Sequence, residues 1–321
     1  MRGPDAPIVA GVQSVRAVGT RCKIARDAPA VPLLSFSTRD GADEAIAMSA
    51  LTRSFEAARE ATKAAFHVRL IGTFEPDLVC APADAIADAW LATAHPDFDR
   101  FPVRNADRTI GLLLRGDYPG RLVRDAMLPL SEELIVSADM AIAELIPRMR
   151  TLPYRLILRG DRIDGLVTES DLLKLPVRLV VFGLLSHLET VMADLISARW
   201  PGDEWMTVLG PGRRAKLLEK ETALRQRGLN PPRIELTEFA DKRDLCKRLL
   251  ATGRRRFDRE MDGLRNLRDQ LAHAATFVDA ADSSTGIGSF VDQWDAARYW
   301  VQELVMLIQQ ESAQTGRRQS D

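Results

Sequence analysis

The sequence predicts an α/β pair of tandem repeats followed by an all-α helical bundle. Three observations carry that expectation. The stretch Gly165-Leu166-Val167-Thr168-Glu169-Ser170-Asp171 has a faded copy 54 positions upstream, Gly111-Leu112-Leu113-Leu114-Arg115-Gly116-Asp117. In both, a glycine reads as the end of a turn, an apolar strand follows, and an aspartate stands six residues after the glycine; such self-similarity marks internal duplication. After Pro176 the texture changes to apolar residues recurring every three or four positions, the period of a helix.

Composition sets the frame. The chain has 321 residues, is 46% apolar and 28% charged, and carries a formal net charge of −1. It is long enough for two or three domains, and its overall charge argues for neither nucleic acid nor membrane. Cys22, Cys80 and Cys246 are far apart and odd in number, which fits neither metal spacing nor a disulfide framework and favours a reducing compartment. Residues 1–20 are broken by Pro4, Pro7, Gly11 and Gly19 and hold no signal-peptide core. The apolar run from Leu179 to Leu185 falls short of the ~20 residues of a membrane span. The expectation is a cytoplasmic protein without a membrane segment.

Residues 1–40 show no clear period, and residues 42–66, Ala-rich with Glu44, Glu56 and Glu60 among basic residues, predict a helix. Residues 1–70 thus form an N-terminal segment with no assigned task. The repeats follow at about 71–122 and 123–177. Leu78-Val79-Cys80-Ala81 matches Leu134-Ile135-Val136-Ser137, and Ala85-Ile86-Ala87-Asp88 matches Ala141-Ile142-Ala143-Glu144, both at an offset of 56. After a loop two residues longer in the first copy, the offset becomes 54. Each copy reads strand, helix, strand, turn, strand, helix, with turns at Asn105-Ala106-Asp107 and Arg159-Gly160-Asp161.

Thr168 is expected to end a strand and Asp171 to open a helix. A hydroxyl and a carboxylate at that spacing can reach one small polar ligand. A carboxylate accepts ribose hydroxyls, and backbone N–H groups at a helix start favour phosphate. The alternative is helix capping alone, by Thr168 or Ser170 with Asp171 answering the dipole. The first copy keeps Asp117 but has Leu114 in the threonine position, and Gly116-Asp117-Tyr118-Pro119-Gly120 breaks a helix instead of starting one.

The two copies resemble CBS repeats, which pair into a Bateman module. The second carries that family's Gly-h-x-Thr-x-x-Asp signature as Gly165, Thr168 and Asp171, and Val123–Pro129 resembles its lead-in segment. The resemblance implies a regulatory adenine nucleotide (AMP, ADP or ATP), with Gly165, Thr168, Asp171 and Asp117 as the ligand-binding positions and the second copy forming the main site.

Residues 178–199 predict a long amphipathic helix through Val180, Leu184, Leu188, Met192 and Leu195, with further helices near 211–227, 236–252, 255–278 and 289–311. Asp279 to Gly288 reads as a loop and 313–321 as a disordered tail. Within Leu264–His273, Leu264, Leu267 and Leu271 form an apolar stripe, while Asn266, Asp269 and His273 lie on the opposite side. Arg268 falls between, nearer the stripe. A histidine that exchanges protons near neutral pH and an arginine that stabilises phosphate charge suit RNA cleavage without a metal. The bland alternative is a surface His273 with Asp269 as its helical neighbour.

Arg268-x(4)-His273 resembles the Arg-x(4–6)-His motif of the HEPN family of helical domains, covering about 178–312. The resemblance implies a homodimer in which two motifs form one ribonuclease site, with Arg268, Asp269 and His273 as catalytic residues and no metal. Eight basic residues against three acidic ones between Lys247 and Arg268 lean toward RNA; a solvated helix start explains the Arg254-Arg255-Arg256 run equally well. His187 sits two residues before Glu189 on a different helix face and reads as packing or surface, while His95 and His67 have no sequence partners. The combined expectation is an adenine-nucleotide-regulated endoribonuclease. The alternative is a non-catalytic nucleotide-binding regulatory or interaction protein.

Overall fold

The computed structural model describes residues 63–94, 96–272 and 286–318, together with Ala57, Glu60 and Ala61. Of the helix expected over 42–66, the described residues Ala57, Glu60, Ala61 and 63–65 are helical and Phe66 is not; the remainder lies outside the described residues.

Two four-stranded sheets follow. The first repeat supplies β2 (Ala81–Pro82), α1 (Ala87–Thr93), β3 (Arg100–Asn105) and β4 (Arg108–Leu114). The second supplies β6 (Ile135–Ser137), α3 (Ile142–Arg148), β7 (Tyr154–Arg159) and β8 (Arg162–Thr168). In each, the short strand runs parallel to the next, which the intervening helix requires, and that strand pairs antiparallel with the last. Both hairpins close with two residues. The left-handed position falls to Ala106 (φ 50°) in the first and Gly160 (φ 64°) in the second, where only the glycine carries no steric cost.

The fourth strand of each sheet comes from outside its repeat. β1 (Thr73–Phe74), at the start of the first repeat, pairs with β8 of the second. β5 (Leu128–Pro129), preceded by the one-turn α2 (Val123–Ala126), follows the first repeat and pairs with β4. The two lead-in segments are therefore exchanged, and their hydrogen bonds repeat at a fixed interval of 55. The Val68 and Arg69 N–H groups donate to Met140 and Ala138, as those of Val123 and Arg124 donate to Ala85 and Ala83.

This interval corrects the sequence alignment. Ala87 and Ile142 both open their helices and are both fully buried, 55 positions apart rather than 56. Paired letters matched Ala85 with Ala141, whereas burial matches Ala87 with Ile142. The loop after α1 is one residue longer than its counterpart, not two.

The repeated glycine is also corrected. Gly165 and Gly111 end no turn; they stand inside β8 and β4. A Cβ on Gly165 would lie 2.6 Å from the Phe74 ring, and one on Gly111 would lie 2.3 Å from the Leu128 carbonyl oxygen. The exchanged strand pairs directly beside each glycine, the close approach that glycine in a strand permits.

The helical region comprises α4 (Leu175–Arg199), α5 (Pro211–Gln226), α6 (Phe239–Leu249), α7 (Arg254–Ala272) and α8 (Gly286–Arg318). α4 begins ahead of Pro176, which takes the first turn where its missing N–H is no loss. α8 begins at Gly286, so residues 286–288, expected in a loop, are helical; it continues to Arg318, so 313–318, expected to be a disordered tail, are helical too. Among the described residues α4 alone is long and apolar enough to cross a membrane, and 61% of its most apolar stretch is buried in the protein.

The cores divide unevenly. The first repeat has its own, around Phe101, Val103, Leu113 and Leu91. A small cluster of Leu112, Leu134, Tyr154, Leu156 and Leu166 joins the two sheets. The second repeat shares one continuous core with the bundle: Ile142, Leu145, Ile146 and Val167 pack with Val181, Leu188, Leu245, Leu264 and Trp294. Arg150, just past α3, adds ion pairs to Asp292 (2.6 Å) and Asp295 (3.2 Å) on α8.

Candidate functional site

β8 ends at Thr168, and a single 3-10 turn, Glu169–Leu173, leads through Lys174 into α4. Asp171 is 5% exposed and fully partnered. Its Oδ2 accepts from the Thr168 backbone N–H (2.7 Å) and lies 3.2 Å from the Thr168 hydroxyl. Its Oδ1 pairs with Lys174 Nζ at 2.7 Å. Thr168 Oγ1 also meets Ser170 Oγ at 2.8 Å. The carboxylate reaching back to the cap residue's N–H is half of a capping box. Capping and a cluster of polar side chains thus coexist in one turn. Where a helix was expected to open at Asp171, there is a short 3-10 turn, and α4 then follows with Lys174 at its N-cap position.

Lys174 also donates to the Ile71 carbonyl oxygen, on the segment leading into β1. One ammonium therefore links the signature aspartate, the exchanged lead-in segment and the start of α4. The spacing of Lys174 from Asp171 was visible in the sequence; its contact with Ile71 was not.

Arg100 enters from the first repeat. It stands at the start of β3, and its pseudo-equivalent Tyr154 at the start of β7 lies directly opposite Thr168. The guanidinium sits 5.1 Å from the centroid of the Tyr154 ring, donates to Glu169 Oε1 at 2.7 Å and pairs with Asp99 at 3.0 Å. A cation over an aromatic face, fixed by two carboxylates, is well positioned. Neither Arg100 nor Glu169 stood out in the sequence, because the pairing joins residues from different repeats.

The first repeat lacks the equivalent turn. Asp117 is exposed on a loop. Tyr118 folds back instead, its hydroxyl donating to the Leu114 carbonyl (3.1 Å) and its N–H to Asp88 (2.8 Å). Asp117 is thus not brought to Gly165, Thr168 and Asp171 by any described contact.

In the bundle, Leu264, Leu267 and Leu271 are buried as the periodicity predicts, while Asn266 and Asp269 are exposed. Arg268 turns the other way, pairing with Glu189 on α4 at 3.3 Å. Glu189 also pairs with Lys242 of α6 at 3.1 Å, and Lys242, nearly fully buried, donates to the Thr237 carbonyl (2.9 Å). Arg268 and Asp269 therefore point apart. His273 and His95 lie outside the described residues, as does Cys22. His187 is buried, and His67 bridges to Ala141.

The basic strip is half engaged. Lys247, Arg256 and Arg268 hold Asp258, Glu260 and Glu189, and Arg254 donates to the Leu250 carbonyl at the end of α6. Arg248, Arg255, Arg259 and Arg265 are exposed. Burial pushes the thiol pKa of Cys246 well above the ordinary cysteine range and raises that of Cys80. Among the described residues, no group of three or more His, Cys, Asp and Glu is placed to hold a metal ion.

No family model matches the chain, and no curated protein matches it. Solved structures with some likeness include CBS domains. That of the bacterial CNNM/CorC family Mg2+ transporter in complex with ATP is 19% identical, covering 39% of this chain and 96% of that one, with a TM-score of 0.32. The CBS domains of a transcriptional regulator from Streptococcus pneumoniae are 17% identical, over 33% of this chain and 96% of that one, TM-score 0.30. CBSX2 in complex with AMP is 16% identical, over 33% and 92%, TM-score 0.28. At such identities and scores the likeness adds nothing to the site geometry.

Proposed function

We propose that the protein is an adenine-nucleotide-binding regulator. Its ligand site is the Thr168–Asp171 turn of the second repeat, and its output is the helical bundle. The observation that carries this reading is the placement of Asp171. Its carboxylate holds Lys174, which stands at the N-cap position of α4 and grips the exchanged lead-in segment. A ribose competing for Asp171, or a phosphate competing for Lys174, would act on the first turn of the bundle's longest-buried helix. Ligand shifts an equilibrium only by binding its two states differently, and this contact is where the difference would arise. The shared core of the second repeat and the bundle supplies the path onward.

The nucleotide reading rests on the resemblance of Gly165, Thr168 and Asp171 to the CBS signature. Its test is calorimetric titration with AMP, ADP and ATP. Saturable binding at one site, lost in Thr168→Val, supports it; absence of binding by all three overturns it.

For the output, a metal-independent RNA endonuclease acting as a homodimer through Arg268, Asp269 and His273 is the second reading. The exposed Arg248, Arg255, Arg259 and Arg265 favour it by offering charge to a polyanion. The internal pairing of Arg268 with Glu189 favours the non-catalytic regulator. Incubating wild type and His273→Ala with RNA in EDTA, with and without nucleotide, separates them: cleavage by wild type alone supports the nuclease, and no cleavage or equal cleavage removes it.

A further inference from the structure

Arg100 is the cation that the first repeat contributes beside the Thr168 turn, and it is already engaged. Asp99 and Glu169 hold it from two sides and the Tyr154 ring lies against it. Its side chain is 16% exposed, against 39% for Glu169. The second oxygen of Glu169, Oε2, is buried and takes no hydrogen bond. Around the turn, three carboxylates (Asp99, Glu169 and Asp171) stand against two cations, Arg100 and Lys174. An anionic ligand therefore meets an excess of like charge and a guanidinium that is not free to turn toward it.

We propose that Glu169 is the charge-selecting residue of the site: by holding Arg100 across the repeat interface, it makes the site discriminate among adenine ligands by their phosphate charge and disfavours the most highly charged. This rests on the nucleotide-binding reading above. A phosphate chain reaching Arg100 must displace the Glu169 carboxylate and then lie beside it. Adenosine, which has no phosphate, meets neither cost. The pair also spans the two repeats, so a phosphate that replaces Glu169 on Arg100 trades an internal bridge for one through the ligand. The penalty grows with ligand charge and shrinks as salt screens the partly exposed carboxylate.

The test is a set of binding isotherms for adenosine, AMP and ATP, in EDTA so that no divalent cation neutralises the phosphates. Wild type, Glu169→Gln and Arg100→Gln are compared at low and high salt. The amide keeps the size of the glutamate side chain and removes one charge. Glu169→Gln should strengthen ATP binding relative to adenosine binding on the order of tenfold, with AMP between, the effect of one removed charge at a partly screened site. Arg100→Gln should weaken ATP relative to adenosine, and high salt should narrow the difference between wild type and Glu169→Gln. Equal shifts for all three ligands, or none, would overturn charge selection while leaving nucleotide binding intact. If wild type binds neither adenosine nor AMP nor ATP, the nucleotide reading falls and this inference with it.

Discussion

Truncating Ile146 to alanine should destabilise the helical bundle, although Ile146 belongs to the second repeat. Its side chain is fully buried on α3, in the core continuous with Leu188, Leu245 and Leu264. Replacing a buried isoleucine with alanine costs about 2–5 kcal/mol, the lost transfer energy plus a cavity term. Taking ~3 kcal/mol, and a urea slope of ~3 kcal/mol/M for a unit of this size, the unfolding midpoint falls by about 1 M. Tryptophan fluorescence reads this cleanly, because Trp90 alone lies in a repeat and Trp200, Trp205, Trp294 and Trp300 lie in the helical region. In a Trp90→Phe background every fluorescent signal reports on the bundle. Ile146→Ala should shift that transition as a whole. Leu113→Ala, fully buried in the separate core of the first repeat, should shift it much less. A bundle transition that ignores Ile146→Ala would refute the shared core, and with it the proposed route from ligand to effector.

Further outcomes follow from individual contacts. Gly111→Ala should destabilise by roughly 1–3 kcal/mol in thermal or urea unfolding, because its Cβ meets the Leu128 carbonyl oxygen, a backbone atom that cannot rotate away. Asp117→Ala should leave nucleotide affinity and one-site stoichiometry unchanged in calorimetry, since Asp117 sits on an exposed loop while Tyr118 closes on Leu114. Cys246 is fully buried with its thiol pKa raised, so a disulfide reagent at neutral pH should titrate the same number of thiols in native wild type and Cys246→Ala, differing by one only after unfolding. Glu189→Ala should lower stability by about 3–5 kcal/mol in the same urea assay, since it leaves the buried Lys242 ammonium without its carboxylate.

Much of the fold was legible because it follows from local pattern. The stripe Leu264-Leu267-Leu271 declares its buried face by helical period alone, and the helix boundaries at 199 and 211 follow from periodicity and Gly210-Pro211. The duplication was legible from repeated strands and turns. Its register was off by one because similar letters, Ala-Ile-Ala in both copies, attracted the alignment, whereas Ala87 packs where Ile142 does. Gly165 was misread for a related reason. A glycine's local preference is for turns, but here Phe74, about ninety residues away in sequence, pairs with it and lays its ring where a Cβ would stand. At the candidate site, Thr168 and Asp171 were found by spacing. Arg100, Glu169 and the Lys174 contact with Ile71 were not, since each joins segments separated by about 69 to 103 positions. Arg268 was placed near the apolar stripe, yet its partner Glu189 stands on another helix and no local pattern names it.

The central claim is that the Asp171 turn is a nucleotide site and not a helix cap alone. A calorimetric titration of AMP into wild type and Asp171→Asn tests it most directly, because the amide keeps the size of the side chain while losing the charge that holds Lys174 and would hold a ribose. Binding at one site in wild type, weakened at least tenfold in an Asp171→Asn protein that retains its circular dichroism, is the predicted result. No heat of binding in wild type, or equal affinity in both proteins, would contradict it.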